Sequence, residues 1–244
     1  MKNKSIKGVV LAGGTASRLK PLTNVTNKHL LPVGRKPMIY YPIEKLTGAG
    51  IEDILIVTGV DHMGDVVSLL GSGKDFSCKF TYKVQDTAGG IAQALSLAEN
   101  FAGGSKIAVI LGDNIFEDPL NHYLDKYISS GYGAHIILKT VSDPRRFGVA
   151  DLSGGKIVGI EEKPSKPKSE YAVTGVYFYD SEVYAIIRTL KPSGRGELEI
   201  TDVNNSYIKK ASMGYSIMTG WWSDAGTFES LAHVQSLVKD FPPK

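Results

Sequence analysis

Short apolar runs, most of them rich in valine, isoleucine and leucine, recur along the first half of the chain, separated by segments whose apolar side chains repeat at helical intervals. The strand-like runs cover 6–11, 54–58, 80–84, 107–111 and 134–139. Between them Ile39, Ile43 and Leu46 fall at i, i+4 and i+7. Ile91, Ala94, Leu95 and Ala98, and again Leu120, Tyr123, Leu124 and Tyr127, fall at i, i+3, i+4 and i+7. A strand that is apolar on both faces must be covered on both faces, and parallel strands joined by amphipathic helices supply that cover. The pattern therefore predicts an α/β fold with a mixed, mostly parallel central sheet flanked by helices. Gly48-Ala49-Gly50 is expected to end the first of these helices and Pro119 to open the third.

Beyond residue 140 the character changes. Residues 148–151, 157–162 and 172–179 read as strands, parted by Gly154-Gly155 and by the proline-containing loop 164–167. Short helices are expected over 182–189 and 200–210, then a last strand over 215–218 ahead of 221–226. A closing helix is built on Leu231, Val234 and Val238. With no internal repeat, low-complexity tract or linker, residues 1–244 read as a single domain, its halves meeting near residue 140. The second half is then a β-rich elaboration of the same sheet.

A chain of 244 residues can bury roughly 70–75% of its unfolded surface in one core. Twenty-eight Lys and Arg against 25 Asp and Glu leave a net charge of only +3, which gives no field for nucleic acid or a membrane surface. The single cysteine, Cys78, excludes an internal disulfide and a thiolate zinc cage, and its apolar setting points to a packed thiol. The apolar stretch near the N-terminus is too short for a secretory signal, and no run approaches the ~20 apolar residues of a membrane span. A cytoplasmic protein is expected.

The first strand runs into Gly13-Gly14-Thr15-Ala16-Ser17-Arg18, and Lys28 follows shortly after. Glycines let backbone N–H groups approach phosphate oxygens, while a guanidinium and an ammonium neutralise them. The loop matches neither of the common nucleotide fingerprints, lacking a third glycine and a Gly-Lys-Ser/Thr. Asp113 ends another apolar run, where a sheet of this type could hold a metal accompanying the phosphates. Local readings compete: Asp113 can be a turn former, Asp224 a cap on the final helix, and Glu161-Glu162-Lys163 a solvated strand end. Glu197, Glu199, Thr201 and Asp202 read best as a helix entry and its cap, with indirect support of a substrate pocket. The five histidines show no metal spacing, and Trp221 and Trp222 read as core anchors.

The ordered series Leu11-Ala-Gly-Gly, Arg18-Leu, Pro21, Lys28, Leu31-Pro32-Val33 and Lys36-Pro37-Met38 resembles the signature of sugar nucleotidyltransferases, and specifically of the glucose-1-phosphate thymidylyltransferases. The likeness continues through Val84-Gln85-Asp86, Gly90-Ile91-Ala92-Gln93-Ala94, Leu111-Gly112-Asp113-Asn114, Phe147-Gly148-Val149, Glu161-Glu162-Lys163-Pro164, the segments 171–177 and 195–204, and Asp224-Ala225-Gly226-Thr227. The resemblance implies a Rossmann-like, nucleotide-diphospho-sugar transferase fold, nucleotide-binding over about 1–140 and sugar-phosphate-binding over about 141–244.

It also implies a reaction, in which dTTP and α-D-glucose 1-phosphate give dTDP-glucose and pyrophosphate with Mg²⁺ as cofactor. Carried over by position, Arg18 grips the triphosphate and steadies the departing pyrophosphate, and Lys28 bridges the nucleotide and sugar phosphates. Asp113 and Asp224 ligate Mg²⁺, and Lys163 binds the sugar 1-phosphate. Leu11, Gly13, Gly14 and Thr15 complete the nucleotide cradle, with Gln85 and Gly90 meeting the base. Gly148, Glu162 and Val173 line the sugar pocket. A homo-oligomer, a tetramer by resemblance, and a place in rhamnose-type carbohydrate biosynthesis are further implications.

The chemistry is consistent with these residue types. A phosphate monoester has its second pKa near ~6, so a sugar phosphate is mostly dianionic at neutral pH and attacks without a general base. Alignment and charge neutralisation then suffice. The sequence departs from the family pattern at Ala16, where glycine is usual, at His29 for glutamine, at Gly89 for aspartate, and at Trp222-Ser223. It also stops short of longer members, whose helical tail contributes to subunit packing and regulation. Two other readings stay open: the same transfer with UTP or another base or sugar phosphate, and a non-catalytic sugar-nucleotide-binding regulator.

Overall fold

A computed structural model describes residues 6–14 and 16–243. In chain order the elements are β1 (Ile6–Ala12), the short hairpin β2 (Pro32–Val33) and β3 (Lys36–Pro37), α1 (Tyr40–Gly48), β4 (Asp53–Gly59), α2 (Met63–Leu70), β5 (Lys79–Gln85), α3 (Ile91–Ser96) and α4 (Glu99–Ala102). There follow β6 (Lys106–Leu111), β7 (Asn114–Phe116), α5 (Asn121–Ser130), β8 (Ala134–Thr140), β9 (Gly148–Ser153), β10 (Lys156–Glu162) and β11 (Tyr171–Tyr179). The chain closes with α6 (Glu182–Thr189), α7 (Ile200–Lys209), β12 (Met213–Ile217), β13 (Trp222–Asp224) and α8 (Phe228–Asp240).

β6, β1, β4 and β5 form a parallel block, joined by helical crossovers as the apolar runs predict. β11 lies antiparallel to β6 and also pairs β8 and β9, carrying the sheet into the second half of the chain. β8 then pairs β12 in parallel, and β10 borders β9 antiparallel. Side chains alternate across β1: Val9 and Leu11 enter one core with Leu95, Val109 and Tyr177, and Val10 and Ala12 the other with Ile43, Ile110 and Phe178. Each face of the sheet thus carries its own apolar layer.

The strand-like runs fold as expected, within a residue or two at their ends. α2, β7 and β13 are additions to the sequence reading, as is the start of β12 two residues earlier. The final helix is capped by Thr227, whose hydroxyl accepts from the Ser230 N–H while Ser230 Oγ accepts from the Thr227 N–H. The cap reading for Asp224 is therefore replaced: Asp224 ends β13. No helix among the described residues is long and apolar enough to cross a membrane.

Candidate active site

In the parallel block, β1 leads outward to β4 on one side and neighbours β6 on the other, so the loops after β1 and β6 diverge. Such a reversal opens a crevice at the carboxyl ends of the strands. Here it is a cleft of about 440 Å³. Leu11, Gly13, Gly14, Arg18, Lys28, Gln85, Gly90, Asp113, Gly148, Glu162, Lys163, Val173 and Asp224 all line it. Thr15 falls outside the described residues.

The two aspartates reach the cleft through a short ladder. β13 pairs antiparallel with β7, setting Asp224 opposite Asn114, and the Ala225 N–H donates to the Asp113 carbonyl at 2.8 Å. Asp113 receives the Lys28 ammonium on Oδ2 at 2.5 Å and the Asn114 amide on Oδ1 at 2.9 Å. Burial opposes its charge, but Lys28 and these hydrogen bonds outweigh that cost and hold the carboxyl well below the usual carboxylate range. Asp224 moves the other way. Burial and the nearby Asp113 charge raise its proton affinity, against the pull of Arg146, Arg18 and Lys28. Arg146 Nη2 lies 3.4 Å from Asp224 Oδ2. Gly226 leaves room for Arg18: a Cβ there would stand 3.2 Å from Arg18 Nη2 and 3.0 Å from Asp224 Oδ2.

Lys28 sits on a single 3-10 turn, Lys28–Leu30, entered through Asn27, whose Oδ1 accepts from the His29 N–H at 2.9 Å. The same oxygen lies 2.7 Å from His29 Nδ1. Burial, then the Lys28 charge, pushes the His29 pKa down to about 3, so the ring is neutral and structural. Ala16, the alanine in the first loop, adopts φ 46°, a left-handed conformation that glycine takes without strain.

On one side of the cleft, Gln85 Nε2 donates to the Gly90 carbonyl at 3.3 Å and to Gln93 Oε1 at 2.5 Å. On the opposite side Glu162 ends β10. Thr201 donates to its Oε2 at 2.6 Å, and Arg195 Nη2 reaches its Oε1 at 3.4 Å. Glu199 stands at the N-cap position of α7 without capping it; its carboxylate takes Arg195 and the Ser193 hydroxyl instead. The helix-cap reading of Glu199 gives way to a role in this charged wall, while the indirect support expected of Thr201 is its bond to Glu162. Lys163 follows in a left-handed conformation, φ 45°, anchored by its N–H to the Phe147 carbonyl at 3.0 Å.

Sequence reasoning did not single out Asn114, Arg146, Gly175 or Arg195, all of which line the cleft. It read Trp222 as a core anchor, and the residue does pack against one apolar layer of the sheet, but it also lines the cleft and its indole N–H donates to Asn114. The advance signals were Asn114 beside Asp113, the basic pair Arg145-Arg146, and the place of Gly175 and Arg195 within the family-like segments 171–177 and 195–204. Cys78 is buried, with its thiol pushed up to about 11 by that burial, as a packed rather than nucleophilic residue should be.

Among the described residues no cluster of three or more His, Cys, Asp and Glu side chains could cage a metal. Two carboxylates remain, the number Mg²⁺ commonly takes from a protein when substrate phosphates supply the other ligands.

Comparison with known proteins is consistent along the chain. The family model for nucleotidyl transferases matches residues 7–240. The glucose-1-phosphate thymidylyltransferase of Neisseria meningitidis is 43% identical over 238 residues, covering 96% of this chain and 83% of that protein. Its counterpart in Mycolicibacterium smegmatis is 42% identical, with 96% and 82% covered. A Bacillus anthracis crystal structure assigned as a glucose-1-phosphate thymidylyltransferase, in complex with sucrose, superposes with a TM-score of 0.93 at 58% identity, covering 96% of both chains. A UDP-glucose pyrophosphorylase complexed with UDP-glucose shares the fold, with a TM-score of 0.85 at 24% identity over 96% of this chain and 99% of that one.

Proposed function

This chain belongs to the nucleotidyl transferase family and, within it, to the glucose-1-phosphate thymidylyltransferases; we propose that its cleft joins dTTP and α-D-glucose 1-phosphate, releasing dTDP-glucose and pyrophosphate. A phosphate oxygen of the sugar phosphate attacks the α-phosphorus in line. A new P–O bond forms as the bond to the bridging α–β oxygen breaks, and pyrophosphate leaves with that electron pair. Sugar phosphate supplies its own nucleophile, so the protein aligns the reactants and offsets charge.

Arg18 and the glycine loop hold the β- and γ-phosphates, and Lys28 spans the two reacting phosphates. Lys163 binds the phosphate of the sugar, Glu162 accepts from sugar hydroxyls, and Gly148 and Val173 shape that pocket. Gln85 and Gly90 read the base. Asp113 and Asp224 would hold Mg²⁺, which neutralises charge on the triphosphate. The fit rests on two neighbouring carboxylates, one with its proton affinity raised by burial and then by the charge of the other, a repulsion that a divalent cation relieves.

The observation that carries this reading is the β7–β13 ladder, which puts Asp224 beside Asp113, Lys28, Arg18 and Arg146 at one end of the cleft. The test is pyrophosphate release from dTTP, UTP, ATP and GTP with glucose 1-phosphate and Mg²⁺. The expected order is dTTP, then UTP within roughly 1–3 kcal/mol, the difference a pocket can extract from one methyl group. No release from any of the four, or Asp113→Asn with ordinary Mg²⁺ dependence, overturns the reading. We further propose a single catalytic domain acting as a homo-oligomer in the cytoplasm.

A further inference from the structure

The amide of Asn114 is fixed from two sides. Its Oδ1 accepts the Gly175 backbone N–H at 2.9 Å and the Trp222 indole N–H at 2.7 Å, and its Nδ2 is left to donate to Asp113 Oδ1 at 2.9 Å. Reversing the amide would set an oxygen against the carboxylate and an NH₂ against two donors, so the surrounding groups permit one orientation. Gly175 can donate because β11 shifts register between Val173 and Tyr177, which takes it out of the ladder. A Cβ at this position would stand 2.6 Å from the Asn114 side chain. Trp222 is held in turn by its ring, edge-on to Phe147 at 5.1 Å, and by the pairing of Trp222 with Phe116.

β13 therefore serves both carboxylates. It ends in Asp224, and two residues earlier it orients Asp113 through Trp222 and Asn114. With Lys28 on Oδ2 and Asn114 on Oδ1, each oxygen of Asp113 has a fixed partner. We propose that Trp222 is a positioning residue for the Mg²⁺ site, acting through Asn114 on the Asp113 carboxylate. This rests on the reading of Asp113 and Asp224 as the carboxylates that hold the ion. Asn114 is hydrogen-bonded directly to the proposed ligand, and loss of such a partner typically costs roughly 10–100-fold in metal affinity.

Trp222→Phe keeps a ring against Phe147 and deletes the N–H. Mn²⁺ is the probe, its binding to the enzyme with dTTP but no sugar phosphate followed by electron paramagnetic resonance of the free ion. The Kd for Mn²⁺ is expected to rise roughly tenfold or more, and the Mg²⁺ needed for half-maximal turnover to rise with it, while KM for glucose 1-phosphate is unchanged. Gly175→Ala pushes on Asn114 and leaves the Trp222 side chain itself unaltered, should give the same loss, and carries the test if Trp222→Phe does not fold. A raised KM for glucose 1-phosphate with unaltered Mn²⁺ binding makes Trp222 a wall of the sugar pocket and overturns the inference, as does no change in either. Asp113→Asn separates the two levels. If it binds Mn²⁺ normally the metal site itself is misassigned; if it loses Mn²⁺ while Trp222→Phe does not, only the role of Trp222 falls.

Discussion

Lys28 and Asp113, 85 residues apart in the chain, meet at 2.5 Å with both side chains largely buried, and among the described residues neither has another partner of opposite charge so close. Lys28→Met should therefore act twice. Turnover is expected to fall a few hundredfold, on the order of 3–4 kcal/mol of transition-state stabilisation. The folded-state pKa of Asp113 is depressed, so its stabilising contribution is present above the ordinary carboxylate pKa near ~4 and is lost as pH falls below that value toward the folded one. Urea midpoints measured between about pH 5 and pH 3 should consequently fall less in Lys28→Met than in the parent protein. Equal slopes would show that the pair does not stabilise the fold.

Thr201 donates to Glu162 from the first turn of α7, holding the carboxylate proposed to meet the sugar. Thr201→Val keeps the shape and removes the donor. A hydrogen bond to a charged group contributes about 1.5–3 kcal/mol, so KM for glucose 1-phosphate should rise roughly 10- to 100-fold, with KM for dTTP unaffected. A matching rise in both would mean that Thr201 supports the whole cleft.

His135 is buried among Tyr127 and Phe178, with Nε2 2.9 Å from Ser216 Oγ and Nδ1 without a partner. Burial, then Lys126, lowers its pKa to about 4. The unfolded chain binds the proton first, so stability is complete above the ordinary value near ~6.5 and declines as pH falls toward about 4. His135→Phe should reduce that decline in thermal melts recorded across the interval. An unchanged slope would assign it to His29, which is buried neutral as well.

Cys78 offers its thiol to the Gly73 carbonyl at 3.7 Å, and its raised pKa keeps it protonated. A disulfide reagent should modify it only as fast as the chain unfolds, in step with loss of circular dichroism. Fast labelling of the native enzyme would contradict the burial.

Much of the architecture was legible because short runs as rich in Val, Ile and Leu as 6–11, 54–58 and 107–111 fit little besides a covered parallel strand. The site was legible in part, since Arg18, Lys28 and Asp113 follow such strands. β7 and β13 were not: three residues carry no periodicity, and each exists because the other is opposite. That is why Asp224 invited a cap reading. Asn114 and Trp222 escaped for a related reason, their partners lying at Gly175 and across the β13 pairing, contacts that no local window contains. Glu199 looked like a helix entry because it is one, and only the packed structure turns its carboxylate to Arg195.

The ladder that unites Trp222 and Asn114 spans 108 residues of chain. Contacts of such high sequence separation are entropically expensive to close and tend to consolidate late. The β1–β6 pairing of the parallel block closes a similar separation, but β7 and β13 bring only a three-residue pairing to offset it, so a partly folded molecule can possess its glycine loop and its parallel block while lacking any competent centre. Activity should appear as the last event of refolding, making turnover itself a reporter of complete tertiary assembly.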